Sequence, residues 1–240
     1  MFNNEHTIEE AISSVLSQTY KNIEYIIIDG NSKDKTVSIV NKFKDEISVF
    51  ISEPDKGLYD AMNKGVLASS GDVIGILNSD DLYEDKFVIN DVATMFRTNP
   101  TCDMIYGDLV YVKRDNIAKV VRKWKSKSYY QKFFEHGYVP PHPALFLKKE
   151  VYKEAGLFNL NFKLASDYEF MFRILKKFGF KSIYYPRLMV KMRLGGATNK
   201  SIRNIIDGNK EIMKAWQQNG FTVPVLLMPF RIIKRLAQFF

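Results

Sequence analysis

The chain has 240 residues, of which 46% are hydrophobic and 26% charged, so it can bury one sizeable core but is short for two independent ones. Its 35 Lys and Arg residues exceed its 27 Asp and Glu residues, and the net charge of +8 favours anionic partners: nucleotide diphosphates, anionic lipid headgroups or nucleic acid. A single cysteine excludes an internal disulfide framework, and because we find neither a signal peptide nor an uncharged apolar stretch of roughly 18 residues, we expect a cytoplasmic protein.

The first third of the chain alternates helices with strands. Apolar residues recur at helical spacing from Thr7 to Thr19, and Thr7 with Glu10 makes the pattern of a capping box. The next predicted elements are a strand at 23–29, a helix at 35–44, a strand at 47–52, a helix at 58–69 and a strand at 72–77. This order predicts an α/β fold, a mostly parallel mixed sheet with helices on both faces.

The remainder of the chain is less regular. Its predicted features are a strand at 104–111, a basic and aromatic segment up to residue 138, a Pro-rich turn at 140–143 and a helix at about 167–178. We expect this part to cover the sheet within one domain that spans residues 1–220, and not to form a second domain.

The first polar motif begins at Asp29, the last residue of the first predicted strand. A carboxylate there could accept hydrogen bonds from a nucleobase or a ribose, because open α/β sheets bind ligands at the carboxyl ends of their strands. Taken alone, the run Asp-Gly-Asn-Ser-Lys-Asp fits an ordinary turn with a helix cap better.

A second polar motif consists of Asp55, Lys56 and Gly57, with Asn63 on the helix that follows. Free amides and the helix dipole attract anions to a helix N-terminus, so this motif could face a diphosphate. An amphipathic surface helix explains the same residues without a ligand.

The third motif, Asn78-Ser79-Asp80-Asp81, places two adjacent carboxylates directly after an apolar strand. Burial of such a pair without a counter-charge is costly, and a divalent cation would remove that cost. Mg²⁺ and Mn²⁺ bind one or two carboxylates and take further ligands from substrate phosphates. The motif therefore predicts a metal site, with a surface pair that caps a turn as the alternative.

The fourth motif is Ser166-Asp167-Tyr168-Glu169 at the start of a predicted helix. One of its carboxylates could abstract a proton from an acceptor alcohol. Asp167 could equally cap the helix, with Glu169 merely exposed. His136 and His142 do not have the spacing of a zinc motif, and structural roles are favoured for both.

Together, in this order, these motifs resemble the family 2 glycosyltransferases, in particular those that build bacterial surface glycans. The resemblance covers residues 2–196 and rests on SVLSQTYKNIEYIIIDGNSKDKT (14–36), DKGLYDAMNKGVLASSGDVIGILNSDD (55–81), HPALFLKKEVYKEAGLFN (142–159) and SDYEFMFRI (166–174). It implies the nucleotide-sugar transferase fold of type A, with a donor half at about 1–100 and an acceptor half at about 101–220.

The resemblance also implies roles for single residues. Asp29 would contact uracil, Asp80 would bind a divalent metal (Mn or Mg) with Asp81 as its neighbour, and Asp167 would be the catalytic base. Asp55, Lys56, Gly57 and Asn63 would belong to the donor site. The implied reaction is an inverting transfer from a nucleotide sugar, UDP-sugar by family habit, to a glycan or lipid-linked acceptor.

Two features depart from the family pattern. Asn78 stands where relatives usually have an acidic residue. Relatives also usually begin with an additional strand, and Phe2-Asn3-Asn4 resembles its end. We expect the absence of this strand to lower stability, and a degenerate, non-catalytic protein that binds nucleotide sugars or glycans is the main alternative to an enzyme.

The segment 221–240 combines apolar residues with Arg231, Lys234 and Arg235. Basic amphipathic helices of this kind lie on membrane surfaces, and a lipid-linked acceptor would make such contact useful at the inner face of the membrane. Docking of the helix on the body of the protein is an equally good interpretation.

Two further classes remain as alternatives. The basic and aromatic segment 114–132 is typical of a nucleic-acid-binding surface, but no named nucleic-acid motif accompanies it, and we predict no nucleic-acid partner. A sugar nucleotidylyltransferase would need a Gly-rich, Arg-containing loop near its start, which is not found.

Overall fold

The computed structural model describes residues 1–195 and 201–239. Its helices are α1 (Ile8–Leu16), α2 (Thr36–Val40), α3 (Leu58–Ala68), α4 (Val88–Thr98), α5 (Lys149–Ala155), α6 (Ser166–Phe172), α7 (Ile202–Gln218) and α8 (Leu227–Leu236). Its strands are β1 (Ile26–Asp29), β2 (Val49–Ser52), β3 (Val73–Gly75), β4 (Leu82–Tyr83), β5 (Met104–Val112), β6 (Val120–Trp124), β7 (Leu145–Lys148) and β8 (Ser182–Arg193). Every element predicted between residues 7 and 77 is present, and each is shorter than predicted.

The larger sheet is mixed and contains six strands of the described chain. Its order is β3-β7-β5-β8-β4, and β6 pairs with the second half of β5. β5 and β8 run parallel, whereas β3, β4 and β6 each pair antiparallel with a neighbour. The α/β class and the mixed sheet predicted from the sequence are confirmed, but four of the five pairings among the described strands of this sheet are antiparallel, so the expectation of mostly parallel strands does not hold for it.

β5 is the central strand and is buried along almost its whole length. Met104 and Tyr106 belong to the hydrophobic core on one face of the sheet, and Ile105 belongs to the core on the other face. Gly107 lets the backbone of β8 approach closely, since a Cβ atom there would lie 2.7 Å from the carbonyl oxygen of Arg187. β5 therefore contributes side chains to the hydrophobic cores on both faces of the sheet.

β1 and β2 form a separate parallel pair in which Ile26 lies opposite Val49. Met1 continues this pair at one end: its nitrogen donates to the Ile28 carbonyl oxygen at 2.7 Å, and the Gly30 amide donates to the Met1 carbonyl oxygen at 2.8 Å. Beyond Met1, no described strand pairs with this edge of β1, and β3 pairs with β7 instead. The first three predicted strands therefore do not form one continuous sheet. Both β1 and β3 line a cavity instead.

The capping box predicted from Thr7 and Glu10 is wrong. Thr7 occupies the N-cap position of α1, but its hydroxyl donates to the Ser79 carbonyl oxygen at 3.1 Å and caps no helix amide. The Glu10 carboxylate forms an ion pair with Arg193 on β8. Both side chains thus hold the start of α1 against the loop that follows β3.

α8 lies within the segment for which the sequence left two interpretations open. Leu227 is fully buried, and a Cβ atom on Gly137 would lie 2.7 Å from the Arg231 nitrogen, so the helix is docked on the body of the protein. Its other face leaves Ile232 and Ile233 more than half exposed. Within the described residues, no helix is long and apolar enough to cross a membrane.

Candidate active site

A cavity of about 1600 Å³ lies between β1, β3, α3, α6 and α8. Of the residues that the sequence analysis assigned to the donor, metal or catalytic site, those that line the cavity are Asp55, Gly57, Asp80 and Asp167. The selected residues outside its lining are Asp29, Lys56, Asn63 and Asp81. The fold therefore brings the second, third and fourth motifs to one space, although they are more than 100 residues apart along the chain at the extremes.

Asp29 lies beneath the cavity wall and is completely buried. One carboxylate oxygen accepts hydrogen bonds from the Ser32 amide at 3.0 Å and the Ser52 hydroxyl at 2.7 Å, and the other accepts from the Ser32 hydroxyl. These bonds fix the turn after β1 to the end of β2. Asp55 reaches the cavity next to this turn, where Gly30 leaves room for it: a Cβ atom on Gly30 would lie 2.3 Å from an Asp55 carboxylate oxygen.

The residues of the motif at the start of α3 have different surroundings: some face solvent, some face the cavity and some are in the core. Lys56 is exposed, and its amide donates to Asp60 at 2.9 Å. Gly57 caps the helix with φ of 112°, a conformation that other residues rarely adopt. Asn63 is buried and forms two reciprocal hydrogen bonds, both 2.9 Å long, with the backbone of Phe158. Asn63 thus joins α3 to the loop before α6.

The two carboxylates of the third motif have different surroundings. Asp80 faces the cavity with a quarter of its side chain exposed, 3.9 Å from the Arg114 guanidinium. Asp81 is only 1% exposed and accepts hydrogen bonds from the Asn78 amide at 2.8 Å and the Arg193 backbone amide at 3.1 Å. Burial, followed by the neighbouring charge of Asp80, raises the pKa of Asp81 to about 7.

Arg193 of β8 holds this loop in place, and the sequence analysis did not identify it. The side chain is buried, donates to the Asp80 carbonyl oxygen at 2.8 Å and pairs with Glu10. No local pattern marks Arg193, because its partners lie more than 110 residues earlier in the chain. Its contacts fix the backbone on which Asp80 is presented to the cavity.

The donor set around Asp80 is small. Within the described residues, no group of three His, Cys, Asp or Glu side chains could hold a metal ion by protein ligands alone. Asp80 fits a hard cation that keeps several waters and takes other ligands from phosphate oxygens. Asn78 offers one neutral amide oxygen where an acidic residue would offer a carboxylate, and its amide nitrogen donates to Asp81.

Asp167 lies in the first turn of α6 and faces the same cavity. The Tyr59 hydroxyl donates to one of its carboxylate oxygens at 3.0 Å. Burial, with the Asp167 charge as the next cause, raises the pKa of Tyr59, so that this hydroxyl stays protonated and remains a donor. The bond leaves the second carboxylate oxygen available to a hydroxyl in the cavity.

Two more side chains complete the surroundings of Asp167. His142 is buried against Phe158, and burial lowers its pKa, with the Asp167 charge acting in the opposite direction. The Arg231 guanidinium stacks 4.9 Å from the ring centre of Tyr168. The sequence analysis favoured a structural role for His142 and left the helix of Arg231 either on a membrane surface or docked on the body of the protein; the packing of α8 brings Arg231 to the cavity.

The family model described as "Glycosyl transferase family 2" matches residues 1–156, more than half of the chain. The chain belongs to the family 2 glycosyltransferases. An uncharacterized glycosyltransferase of Mycobacterium tuberculosis is 29% identical over 174 residues, 72% of this chain and 65% of that protein. A PGL/p-HBAD biosynthesis glycosyltransferase of Mycobacterium bovis is 26% identical over 165 residues, 68% of this chain and 62% of that protein. The match thus spans less than two thirds of the length of these relatives.

Solved structures show the same fold. Residues 1–349 of Staphylococcus aureus TarS in complex with UDP cover 98% of this chain and 66% of that one, with a TM-score of 0.65 and 15% identity. A mannosyltransferase from Pyrobaculum calidifontis in complex with GDP-Man and Mn²⁺ covers 99% of this chain and 67% of that one, with a TM-score of 0.67 and 17% identity. The protein therefore has the type A nucleotide-sugar transferase fold.

The contacts of Asn63 lead to a test of its role. Asn63→Ala leaves the buried amide and carbonyl of Phe158 without partners, so we expect a loss of about 2–4 kcal/mol in the free energy of unfolding, measured with urea. Asn90→Ala, on α4 and without such bonds, should change stability by less than about 0.5 kcal/mol. Unchanged stability of Asn63→Ala with weakened nucleotide binding would show instead that Asn63 contacts the donor.

Proposed function

We propose that the protein is an inverting, metal-dependent glycosyltransferase that moves a sugar from a nucleotide-diphospho-sugar to an acceptor hydroxyl in the synthesis of a cell-surface polysaccharide or glycolipid. The observation that carries this proposal is the convergence of Asp80 and Asp167 on one cavity. The first carboxylate can hold a cation beside the negatively charged leaving group, and the second can accept the proton of the hydroxyl that replaces it.

The donor binds at the side of the cavity formed by the turn after β1, the start of α3 and the loop after β3. Asp55 and Gly57 face the cavity there, and Asp29 lies directly behind and shapes the turn. UDP is the proposed nucleotide, supported by the similar fold of the TarS complex with UDP. The mannosyltransferase complex with GDP-Man shows that this fold also accepts another nucleotide.

Asp80 is the proposed ligand of a divalent cation, Mn²⁺ or Mg²⁺. When bound, such a cation neutralises negative charge that develops on the departing diphosphate. Asp81 contributes through its carboxylate, which accepts hydrogen bonds from the Asn78 side chain and the Arg193 backbone amide; these bonds hold the turn, so that Asp80 is presented without rearrangement.

Asp167 is the proposed catalytic base. It takes the proton of the acceptor hydroxyl while the oxygen attacks the anomeric carbon from the face opposite the diphosphate. The new carbon–oxygen bond forms as the bond to the diphosphate breaks, and the configuration is inverted. Tyr59 orients the carboxylate through its 3.0 Å hydrogen bond. Positioning and charge stabilisation supply most of the rate in such a displacement.

We first predict metal-dependent nucleotide binding. Calorimetric titration of UDP should give binding with Mn²⁺ and none with EDTA, and Asp80→Ala should weaken the Mn²⁺-dependent affinity at least tenfold, about 1.4 kcal/mol. Asp45→Ala removes an exposed carboxylate outside the cavity and should bind as the unaltered chain does. Absence of UDP binding by folded protein in both conditions would favour the non-catalytic alternative or another nucleotide.

We next predict that Asp167→Asn separates binding from chemistry. Hydrolysis of a panel of UDP-sugars, with water as the acceptor, should fall about 10²- to 10⁴-fold in kcat, because a general base is lost. Affinity for UDP should change less than twofold, because Asp167 does not contact the nucleotide side. An Asp167→Asn protein with full turnover would exclude Asp167 as the base.

We also propose that α8 places the protein at the inner face of a membrane. Ile232, Ile233 and Leu236 are each 57–58% exposed, and Lys234 and Arg235 are in the last turn of the same helix. Apolar contact with acyl chains and attraction of about 1 kcal/mol per basic residue to anionic lipid would act together. This helix would bring the cavity close to a lipid-linked acceptor.

Sedimentation with lipid vesicles tests this placement. The protein should pellet with vesicles that contain phosphatidylglycerol, less with pure phosphatidylcholine, and Ile232→Ser combined with Ile233→Ser should abolish the binding. Leu67→Ser combined with Leu160→Ser, which alters exposed leucines elsewhere, serves as the matched control. Equal pelleting of both double variants would exclude α8 as the contact.

A further inference from the structure

Two arginines in the cavity wall are withdrawn from solvent to different degrees, and neither forms an ion pair with a carboxylate of the described residues. Arg122 of β6 is 8% exposed, and Arg231 of α8 is half-buried. Arg114, Arg173 and Arg193, by contrast, each form an ion pair with an acidic side chain. A buried charge is costly unless it is paired, so an anion from outside the chain would stabilise this arrangement.

Aromatic rings fix both guanidinium groups. The guanidinium of Arg122 lies 3.9 Å from the ring centre of Tyr111 and 5.6 Å from that of Phe239. Arg231 lies 4.9 Å from the ring centre of Tyr168. Stacking uses the face of a guanidinium and leaves its N–H edge for planar, bidentate binding of phosphate or carboxylate oxygens. The buried Nε atom of Arg122 has no hydrogen-bond partner within the described residues.

Other positive charges surround these two groups. Lys234 and Arg235 follow Arg231 on α8, and all three line the cavity with Arg122. Burial, and then the Arg235 charge, lowers the pKa of Arg122; the same two causes lower the pKa of Arg231. Asp167 is the carboxylate that opposes this effect at Arg231. Burial and a neighbouring positive charge thus both disfavour the two charged guanidinium groups, and a bound anion would offset both effects.

Arg231 ties this basic cluster to the side of Asp167, whereas Arg122 stacks on Tyr111, on which the charges of both Asp81 and Asp167 act. Arg231 stacks on Tyr168, the residue next to Asp167, and is affected by the Asp167 charge. The charges of Asp55 and Asp80 act instead on the amino group of Met1, beside the end of β1. A diphosphate held at Asp80 would leave the basic cluster free for a second anion.

We propose that Arg122 and Arg231, assisted by Lys234 and Arg235, bind a phosphate group carried by the acceptor. The inference rests on the proposed function, because it assigns the Asp167 side of the cavity to the acceptor. The acceptor is then a sugar phosphate, a phosphate-containing glycan or a lipid-linked phosphate, and its phosphate orients the reacting hydroxyl toward Asp167.

The test is a phosphorus NMR titration of glucose 1-phosphate with the full chain in Mg²⁺, with and without saturating UDP, and a parallel proton NMR titration of glucose. We expect glucose 1-phosphate to bind at least tenfold more tightly than glucose and to bind alongside UDP. Arg231→Met and Arg122→Met should each reduce this binding at least tenfold and leave UDP binding within twofold. Arg231→Lys should retain part of it. Arg97→Met removes an exposed arginine outside the cavity and should have no effect.

Farnesyl phosphate in detergent, compared with farnesol, distinguishes the source of the phosphate. Binding of farnesyl phosphate alone supports a lipid-linked acceptor, and binding of glucose 1-phosphate alone supports a soluble one.

Competition between UDP and glucose 1-phosphate would assign the arginines to the donor, and equal binding of phosphorylated and unphosphorylated probes would show that the phosphate is not recognised. Either result overturns the inference. Failure of UDP to bind would refute the proposed donor site separately. Circular dichroism confirms that each variant is folded, and Arg231→Met provides a second test if Arg122→Met is not.

Discussion

The rest of the structure depends on one constraint: β5 is buried on both faces and paired on both edges. β7 and β6 share one edge of this strand, and β8 takes the other. β3, from the first part of the chain, reaches the sheet only through β7, and β4 reaches it only through β8. The cavity-facing loops of the first 100 residues are therefore positioned by strands from later in the chain. Apolar side chains that must leave water on both faces of β5 make this arrangement stable.

Arg193 links the sheet to the loop that carries Asp80 and Asp81. Its backbone and guanidinium reach Asp80, Asp81 and Glu10 from the end of β8. Asp81 can be buried only because Asn78 and Arg193 supply hydrogen bonds to its carboxylate. The two adjacent acidic residues consequently have separate tasks: Asp81 holds the loop and Asp80 faces the cavity.

The cavity is electrostatically divided. Asp55 and Asp80 make the side near β1 acidic, and Arg122 and Arg231 make the side near α8 basic, with Asp167 at the boundary. An acidic wall attracts a nucleotide diphosphate only together with a cation, which agrees with the proposed use of a metal. A basic wall needs no cation to hold an anion. Under the proposed function, this asymmetry separates the donor from the acceptor within one continuous space.

The edge of β1 is the part of the fold that departs most from a continuous sheet. Met1 pairs with β1 at the end nearest Asp29, and farther along β1 and β3 line the cavity from opposite sides. The turn after β1 is nevertheless well fixed, because Asp29 bonds to Ser32 and Ser52. The donor side is thus organised by side-chain hydrogen bonds where strand pairing is lacking.

The sequence by itself determined the class of fold, the family and three of the cavity-facing carboxylates, Asp55, Asp80 and Asp167. Strand and helix periodicity, together with polar residues at strand ends, are local signals that a single sequence displays. It did not determine which polar residues face the cavity and which bond within the protein: Asp29 and Asp81 carry the same carboxylate as Asp80, and Asn63 carries a polar amide, yet all three bond to protein partners. Only the tertiary structure decided this, because hydrogen-bond partners such as Phe158 and Arg193 lie about 100 residues away along the chain, and burial is a property of packing and not of residue type. For the same reason, the packing of α8 alone brought Arg231 from an ordinary basic helix to the side of Asp167.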